Sequence, residues 1–506
     1  MSHWKSWFSN FWTPRKRRTS TRMRSRLMES LERRSLMAGE VFIDATATLN
    51  VEGSQFKDEV NAYVTSGNTL NIRFRTPGAP LYPTYTNFQF PLAAVRKICF
   101  KGGAGDDTFT ASNNITTARP KVPMEIDGGE GDDRLYGGLL NDIIRGGPGN
   151  DTVNGFGGDD IILAGGGRDT VYGGEGNDFL CGDAGNDLIF GGNGNDILFG
   201  GGDPSDDLRG GNGANLVVRA PCQTSPILGD WNGDGRNEMG SHIPSHGIFL
   251  LYDAVRPFYQ FGQAGGQPII GDWNGDRRDD VGTYQQSGSP SQENTYVLDE
   301  GIPGASGEAV HSFGLNGDIP LVGDWNGDGK EEVGVFGPNT PGGPRFFVDE
   351  GPRGYSGTFP GELGYQFGLP GDLPLVGDWD GNGTYDFGVF RPSNATYHLD
   401  EGARGYSGLP AELGYQFGLP GDTPLVGDWN GDGKDDFGIF RNHANGLTTF
   451  HFDVGVRGYT GQSSDELGQT FGRVGDKPLI GDWNGDGKDD YGVLRPSTGM
   501  TFRRVR

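Results

Sequence analysis

Gly173-Gly174-Glu175-Gly176-Asn177-Asp178-Phe179-Leu180-Cys181 is one copy of a nine-residue frame that decides the architecture of the first half of this chain. A glycine-rich turn ends in aspartate, and three residues follow whose middle member is apolar. Copies begin at Gly128, Gly137, Gly146, Gly155, Ala164, Gly173, Gly182 and Gly191. The middle position then carries Leu135, Ile144, Val153, Ile162, Val171, Leu180, Ile189 and Leu198. Strand side chains alternate between faces, so stacked turns put these residues on one face as a continuous aliphatic ladder. A flexible glycine linker would not place an apolar residue at every ninth position. Upstream, Gly102-Gly103-Ala104-Gly105-Asp106-Asp107 is an isolated first copy. Short alternating runs between 41 and 100, such as Thr69–Phe74 and Val95–Phe100, read as strands that cap the stack.

From Asp230 the period lengthens. Asp324-Trp325-Asn326-Gly327-Asp328-Gly329-Lys330-Glu331-Glu332 recurs in six copies that start at Asp230, Asp272, Asp324, Asp378, Asp428 and Asp482, spaced by 42, 52, 54, 50 and 54 residues. Each copy places side-chain oxygens at positions 1, 3, 5 and 9: Asp230, Asn232, Asp234 and Glu238 in the first, Asp272, Asn274, Asp276 and Asp280 in the second, Asp324, Asn326, Asp328 and Glu332 in the third. The later copies offer Asp378, Asp380, Asn382 and Asp386, then Asp428, Asn430, Asp432 and Asp436, then Asp482, Asn484, Asp486 and Asp490. Alternate oxygens pointing into one concavity make a hard-cation loop, for which calcium is the expected ion; glycine at position 6 permits the turn, and the position-7 carbonyl can add a ligand. Arg277 replaces that glycine in the second copy, and Asp380 and Asn382 exchange places in the fourth. A helix-flanked loop would need a carboxylate at position 12, where Val335, Ile439 and Val493 stand instead.

The loops are preceded by Phe-Gly and then Pro-Leu/Ile-Val/Ile-Gly, as at Phe417-Gly418 and Pro424–Gly427, and followed by strands such as Phe437–Phe440. Three or four short strands per repeat predict a β-propeller of about six blades. The final unit, ending Met500–Arg506, lacks a strand, which Leu216-Val217-Val218 could supply to close the ring.

The nonapeptides resemble the RTX family of parallel β-rolls over residues 128–218. The resemblance implies calcium held between turns two repeats apart by the position-6 aspartates Asp133, Asp142, Asp151, Asp160, Asp169, Asp178, Asp187 and Asp196, completed by backbone carbonyls. The frame slips by one residue after Gly200, and Asn215 replaces the aspartate of the last unit. The longer repeats resemble the FG-GAP/VCBS repeats of integrin-type propellers, whose calcium loops share the 1, 3, 5, 9 spacing. Arg26–Gly39 resembles the LEPR-XLL export segment of planctomycete-type surface proteins, with Arg33 in place of the usual proline. An all-β chain is expected, divided into a basic export segment 1–39, a β cap 40–127, a β-roll 128–218 and a propeller 219–506.

Composition sets the limits of function. Of 506 residues 92 are glycine, yet no Gly-X-Y period exists. The net charge of -25 combines +8 over residues 1–39 with −33 over the rest, an acidic field that attracts divalent cations and disfavours nucleic acid. Three cysteines, Cys99, Cys181 and Cys222, set up no disulfide framework and no zinc spacing. No apolar run reaches the roughly 18 residues of a membrane span. Tryptophan at loop position 2 (Trp231, Trp273, Trp325, Trp379, Trp429, Trp483) reads as packing between blades, with an aromatic sugar platform as its rival. His242 and His246 have the outer spacing of a zinc helix, but Pro244 breaks it. The expected protein is not an enzyme but a secreted or cell-surface structural and adhesive protein that folds on calcium, with an extracellular protein or glycan as partner. A multivalent lectin is the alternative, and a polysaccharide hydrolase or lyase the third.

Overall fold

The computed structural model describes residues 40–504 apart from 45–46, 66–67, 77–84, 112–119, 253–256, 290–291, 300–307, 350–363, 401–413, 454–467 and 496–499. The export-like segment 1–39 lies outside the described residues. Every described element is a strand except the single 3-10 turn Leu92–Ala94. The chain divides near Gln223 into two compact units.

The first unit is β-roll-like, built from two nine-stranded sheets. Each nonapeptide supplies one strand, and successive strands go to opposite sheets, so one full coil takes two repeats. Parallel partners therefore stand 18 residues apart, as in Val153 opposite Val171 and Ile162 opposite Leu180. All eight ladder residues are fully buried and belong to one core that continues into Leu49, Val60, Ile72, Phe100 and Phe109. The isolated copy at Gly102 joins in register, with Gly103 opposite Gly129. Antiparallel strands Glu59–Thr65, Thr69–Arg75 and Thr86–Pro91 end one sheet, and Glu40–Ile43 ends the other. The turns require glycine where coils meet: Gly174 has φ +127°, and a β-carbon there would overlap the Phe156 carbonyl of the coil before.

Two expectations are corrected here. Leu216–Val218 does not close the propeller; it pairs in parallel with Ile197–Phe199 as the last strand of the roll, because the nonapeptide register still holds it after the one-residue slip. Cys181 and Cys222 form a disulfide, with Cα atoms 6.4 Å apart. Its partners are 41 residues apart, a spacing that no short motif reveals. Cys99 is free.

The second unit is a propeller of five four-stranded blades, at residues 225–260, 267–315, 319–366, 373–416 and 423–473, followed by a three-stranded sheet at 477–504. The expected six full blades thus become five, and the sixth repeat contributes three described strands. Within each blade the strands run antiparallel in sequence order, as where Phe336 faces Phe346. Aromatic rings fill the gaps between blades. Phe346 stacks on Phe387 of the next blade at 4.7 Å, Tyr397 on Phe437 at 4.4 Å, and Phe450 meets Tyr491 at 4.8 Å. The ring closes through the loops rather than through a borrowed strand: Asn237 N donates to the Asp482 carbonyl at 3.0 Å, and Asp482 N donates to Asn237 Oδ1 at 3.0 Å.

Candidate calcium sites

In the roll, the position-6 aspartates stand where each strand begins, directly below the ladder residue that packs the core. Burial of that neighbour drags the carboxylate inward, and Asp133, Asp142, Asp151, Asp160, Asp169, Asp178, Asp187 and Asp196 are all at most 1% exposed. They form two columns. In one, Asp133 N donates to Asp151 Oδ1 at 2.7 Å, Asp151 N to Asp169 at 2.7 Å and Asp169 N to Asp187 at 2.9 Å. In the other, Asp142 N donates to Asp160 at 2.8 Å, Asp160 N to Asp178 at 3.0 Å and Asp178 N to Asp196 at 3.0 Å. Turns two repeats apart are thus brought together as the resemblance implied.

Each carboxylate spends Oδ1 on this bond. The Oδ2 atoms of Asp133, Asp151, Asp160, Asp169, Asp178, Asp187 and Asp196 are buried with no protein donor. Those of Asp133, Asp151, Asp160, Asp178, Asp187 and Asp196 face the first glycine of their own repeat, beside a main-chain carbonyl of the coil after it; a β-carbon on Gly173 would meet Asp178 Oδ2 and the Gly191 carbonyl together. A buried anionic oxygen beside carbonyl oxygens is unstable alone and suits a hard cation. Burial, the largest cause, pushes Asp151 up to about 8, Asp133, Asp169 and Asp178 to about 7, and Asp187 to about 6. Asp160 rises well above the carboxylate range through burial and the facing Asp142 and Asp178, and burial raises Asp196 as well.

The columns reach further than the nonapeptide pattern indicated. Asp107 joins below Asp133 and titrates at about 8, again through burial, and Asp206 joins above Asp187, its N–H acceptor at 3.0 Å. The sequence signal for Asp107 was its Gly-Gly-X-Gly-X-Asp turn; for Asp206 the inserted residue obscured it. At the cap, Asp58 ends a column differently, since its carboxylate accepts from Ser54 N at 2.6 Å and from the hydroxyls of Ser54 and Thr76. At the other end Asn215 Oδ1 takes the Asp196 N–H at 2.7 Å. An exposed outer row at position 5 was also missed: Asp132, Asn150, Asp159 and Asn177 accept main-chain N–H groups from the coil after them at 2.7 to 2.9 Å.

The propeller loops are built otherwise. In the third loop Asp324 Oδ1 accepts from Gly327 N at 2.6 Å and from Asp328 N at 3.2 Å, while Oδ2 accepts from Gly329 N at 2.9 Å. Asn326 Oδ1 accepts from Asp328 N and Asp328 Oδ1 from Lys330 N, both at 2.9 Å. The three bonds to the first aspartate recur at Asp230, Asp272, Asp378, Asp428 and Asp482, and the position-3 oxygens of Asn232, Asn274 and Asp380 repeat the bond made by Asn326. Carboxylate oxygens converge within 4.8 Å in three copies: Asp230, Asp234 and Glu238; Asp324, Asp328 and Glu332; Asp378, Asp380 and Asp386. In the last trio Asp380 takes the place that the exchange with Asn382 predicts. Among the described residues, the loops at Asp272, Asp428 and Asp482 bring no trio that close. Asn274 and Asn430 there turn their amides to Asp280 and Asp436, at 2.8 and 3.0 Å. In the second loop Arg277 adopts φ +71° to keep the turn. Asp280 is pushed up to about 9, mainly by burial and then by Asp276, Asp299, Asp272 and Asp279.

The sequence reading passed over loop position 8, which joins each loop to its neighbour. Asp230 N donates to Asp279 at 2.7 Å, Asp272 N to Glu331 at 3.0 Å, Asp378 N to Asp435 at 2.8 Å and Asp428 N to Asp489 at 2.7 Å. The six tryptophans are buried, at most 8% exposed, and the indole N–H of Trp379 donates to the Phe387 carbonyl at 2.9 Å. They are packing residues, and the sugar platform proposed for them does not exist. His242 is buried against Phe249, and the half-buried His246 bonds Ser245, so the two form no ligand pair.

No curated protein matches the chain significantly. Among solved structures, an Agrocybe aegerita lectin described for recognition of non-reducing terminal N-acetylglucosamine aligns at 14% identity over 56% of this chain and 80% of its own, with TM-score 0.33. The BP39L lectin of Burkholderia pseudomallei aligns at 12% identity over 56% of this chain and 81% of its own, with TM-score 0.34. Likeness at that level carries no argument about ligands. The RTX calcium-binding nonapeptide repeat profile matches residues 125–144, 136–171 and 172–204, and those residues are RTX calcium-binding repeats.

Proposed function

We propose that this chain is a secreted or cell-surface structural and adhesive protein whose roll completes its folding on binding calcium. The observation that carries the reading is the column of buried, donorless Oδ2 atoms beside glycine carbonyls. The position-6 aspartates and those carbonyls would hold the ions, and bound calcium would supply the positive charge that the protein does not. The propeller loops contribute differently. Their first aspartates already accept three N–H bonds each, so calcium there adds rigidity to turns that hydrogen bonds shape.

Export is supported by the RTX repeats, by the Arg26–Gly39 resemblance and by the Cys181–Cys222 bond, since disulfides persist in oxidising compartments. No helix among the described residues is long and apolar enough to cross a membrane. Extracellular calcium modules bind at roughly 10⁻⁴ to 10⁻³ M, so the chain would stay open before export and close after it. The FG-GAP/VCBS-like propeller presents the adhesive surface for an extracellular protein or glycan. The reading is non-enzymatic: repeating carboxylates are used as structure, and among the described residues no pair is set apart for acid and base chemistry. Limited proteolysis of the secreted chain tests it. Calcium is expected to protect residues 100–218, and equal cleavage with and without calcium would refute the proposal.

A further inference from the structure

The disulfide of the roll has a third partner. Cys181 ends the strand Phe179–Cys181, and Cys222 lies on the segment that folds back after Leu216–Val218, where Gly201 N donates to the Ala220 carbonyl at 3.3 Å. Between them stands Asp183, whose Oδ1 is 3.2 Å from Cys181 Sγ and 3.2 Å from Cys222 Sγ. The three side chains bring one ligand atom each to within 4.8 Å of one another. All three belong to the first unit.

Asp183 is unusual for its place in the turn. It fills the second position of its nonapeptide, where the coils before and after carry Gly165 and Gly201 at φ +107° and +105°. Asp183 itself adopts φ +63°, a left-handed conformation that glycine takes more readily. That position aims its carboxylate at the sulfurs. A disulfide has no S–H to donate and no charge to offer, so the oxidised pair gives the carboxylate no bond. The contact suits the reduced pair, because thiols can donate to the oxygen and thiolates can share a cation with it.

We propose that Cys181, Asp183 and Cys222 form, on reduction, a binding site for a thiophilic divalent ion of the zinc class, separate from the calcium columns. Two sulfurs and one carboxylate oxygen are a zinc ligand set, and sulfur selects against calcium. Tetrahedral zinc places oxygen and sulfur ligands about 3.5 Å apart and two sulfurs about 3.8 Å apart. Asp183 Oδ1 is already within a few tenths of an ångström of that spacing from both sulfurs. Only the sulfurs must part, and their Cα atoms, 6.4 Å apart, stand near the wide end of the range that disulfides span. A phosphine or thiol reductant adds two electrons and two protons to the disulfide; zinc then displaces both protons and sits between two thiolates and the carboxylate. Both cysteines are buried and Asp183 is half-buried, so the fourth position opens on the Asp183 side and falls to water. The sequence hid this site because Cys222 stands 41 residues from Cys181. The same side chains staple the last coils in either redox state, by the ion where thiols persist and by the disulfide where they do not.

Cobalt(II), which reports thiolate ligation by a charge-transfer band in the near ultraviolet, tests the site on the full chain. The free Cys99 is replaced by serine, excess calcium fills the oxygen sites, and a phosphine reductant frees the two remaining thiols. The reduced chain is expected to develop the band, saturating at one cobalt per chain, and zinc is expected to abolish it; the oxidised chain shows none. D183G restores the glycine of the neighbouring coils, so it is expected to fold and to form the disulfide in air. It is nevertheless expected to bind cobalt at least about tenfold more weakly, the smallest loss that even an outer-shell partner causes. D183N, which suits a left-handed turn, is expected to behave in the same way. A reduced chain without the band overturns the proposal. So does unchanged affinity in D183G and D183N, which would make the cysteines a simple dithiol that Asp183 only adjoins.

Discussion

Stripping calcium from the roll should make its stability rise on acidification, and the columns set the size of the effect. Asp133, Asp169 and Asp178 titrate at about 7 in the fold against about 3.9 for a free aspartate, chiefly because they are buried. One pK unit is worth about 1.4 kcal/mol, so holding one such group ionised above pH 7 costs roughly 4 kcal/mol. Domains are stable by only roughly 5 to 15 kcal/mol, so two or three ionised column aspartates exhaust that margin. Between about pH 4 and 7 the folded roll binds more protons than the unfolded chain, so stability is present at the acidic end and is lost as pH rises through the folded pKa values. Scanning calorimetry of the calcium-stripped full chain is expected to show the roll transition moving up between about pH 8 and pH 5.5. Relief of a single column aspartate corresponds to roughly 10 °C in a unit of this size. With calcium bound the slope should reverse, because protons then compete with the ion for the same oxygens. A calcium-free transition that is flat or falls on acidification would refute the reasoning.

Gly427→Ala should destabilise the propeller by about 1 to 3 kcal/mol, because its β-carbon meets the Trp429 ring at 2.8 Å and Asp489 Oδ2 at 2.7 Å; denaturant melts of the propeller transition read it. Arg277→Gly should instead stabilise by about 1 to 2 kcal/mol, since the residue sits at φ +71° while its N–H bond to Asp272 Oδ2 survives; the same melts decide. Ile162→Ala should cost about 2 to 5 kcal/mol in the roll transition, as expected for a fully buried ladder residue. Cys222→Ser should cost about 2 to 4 kcal/mol under oxidising conditions and nothing in reductant, which a paired melt with and without dithiothreitol shows.

The nonapeptide period made the roll legible down to single residues. Leu135 through Leu198 and the eight aspartates fall where the frame puts them, because a repeat that stacks on itself fixes side-chain direction and depth together. What the period could not carry lay outside it. Asp206 is shifted by one inserted residue, Asp58 has no glycine turn before it, and the Cys181–Cys222 bond depends on where residue 222 returns in space. In the propeller the loop ligands were visible as spacing, but the position-8 acids Asp279, Glu331, Asp435 and Asp489 read as ordinary surface residues until the neighbouring loop is seen to bond them. Leu216–Val218 was ambiguous for a related reason. Three apolar residues fit either sheet, and the parallel register to Ile197–Phe199 decided between them.

The most direct test of the central claim is far-ultraviolet circular dichroism of the calcium-stripped chain near neutral pH, titrated with calcium and separately with magnesium. A gain of β signal and a rise in melting temperature with calcium alone is the predicted result. A spectrum already complete without calcium, and unmoved by it, would show that the buried column oxygens need no ion and would contradict the account.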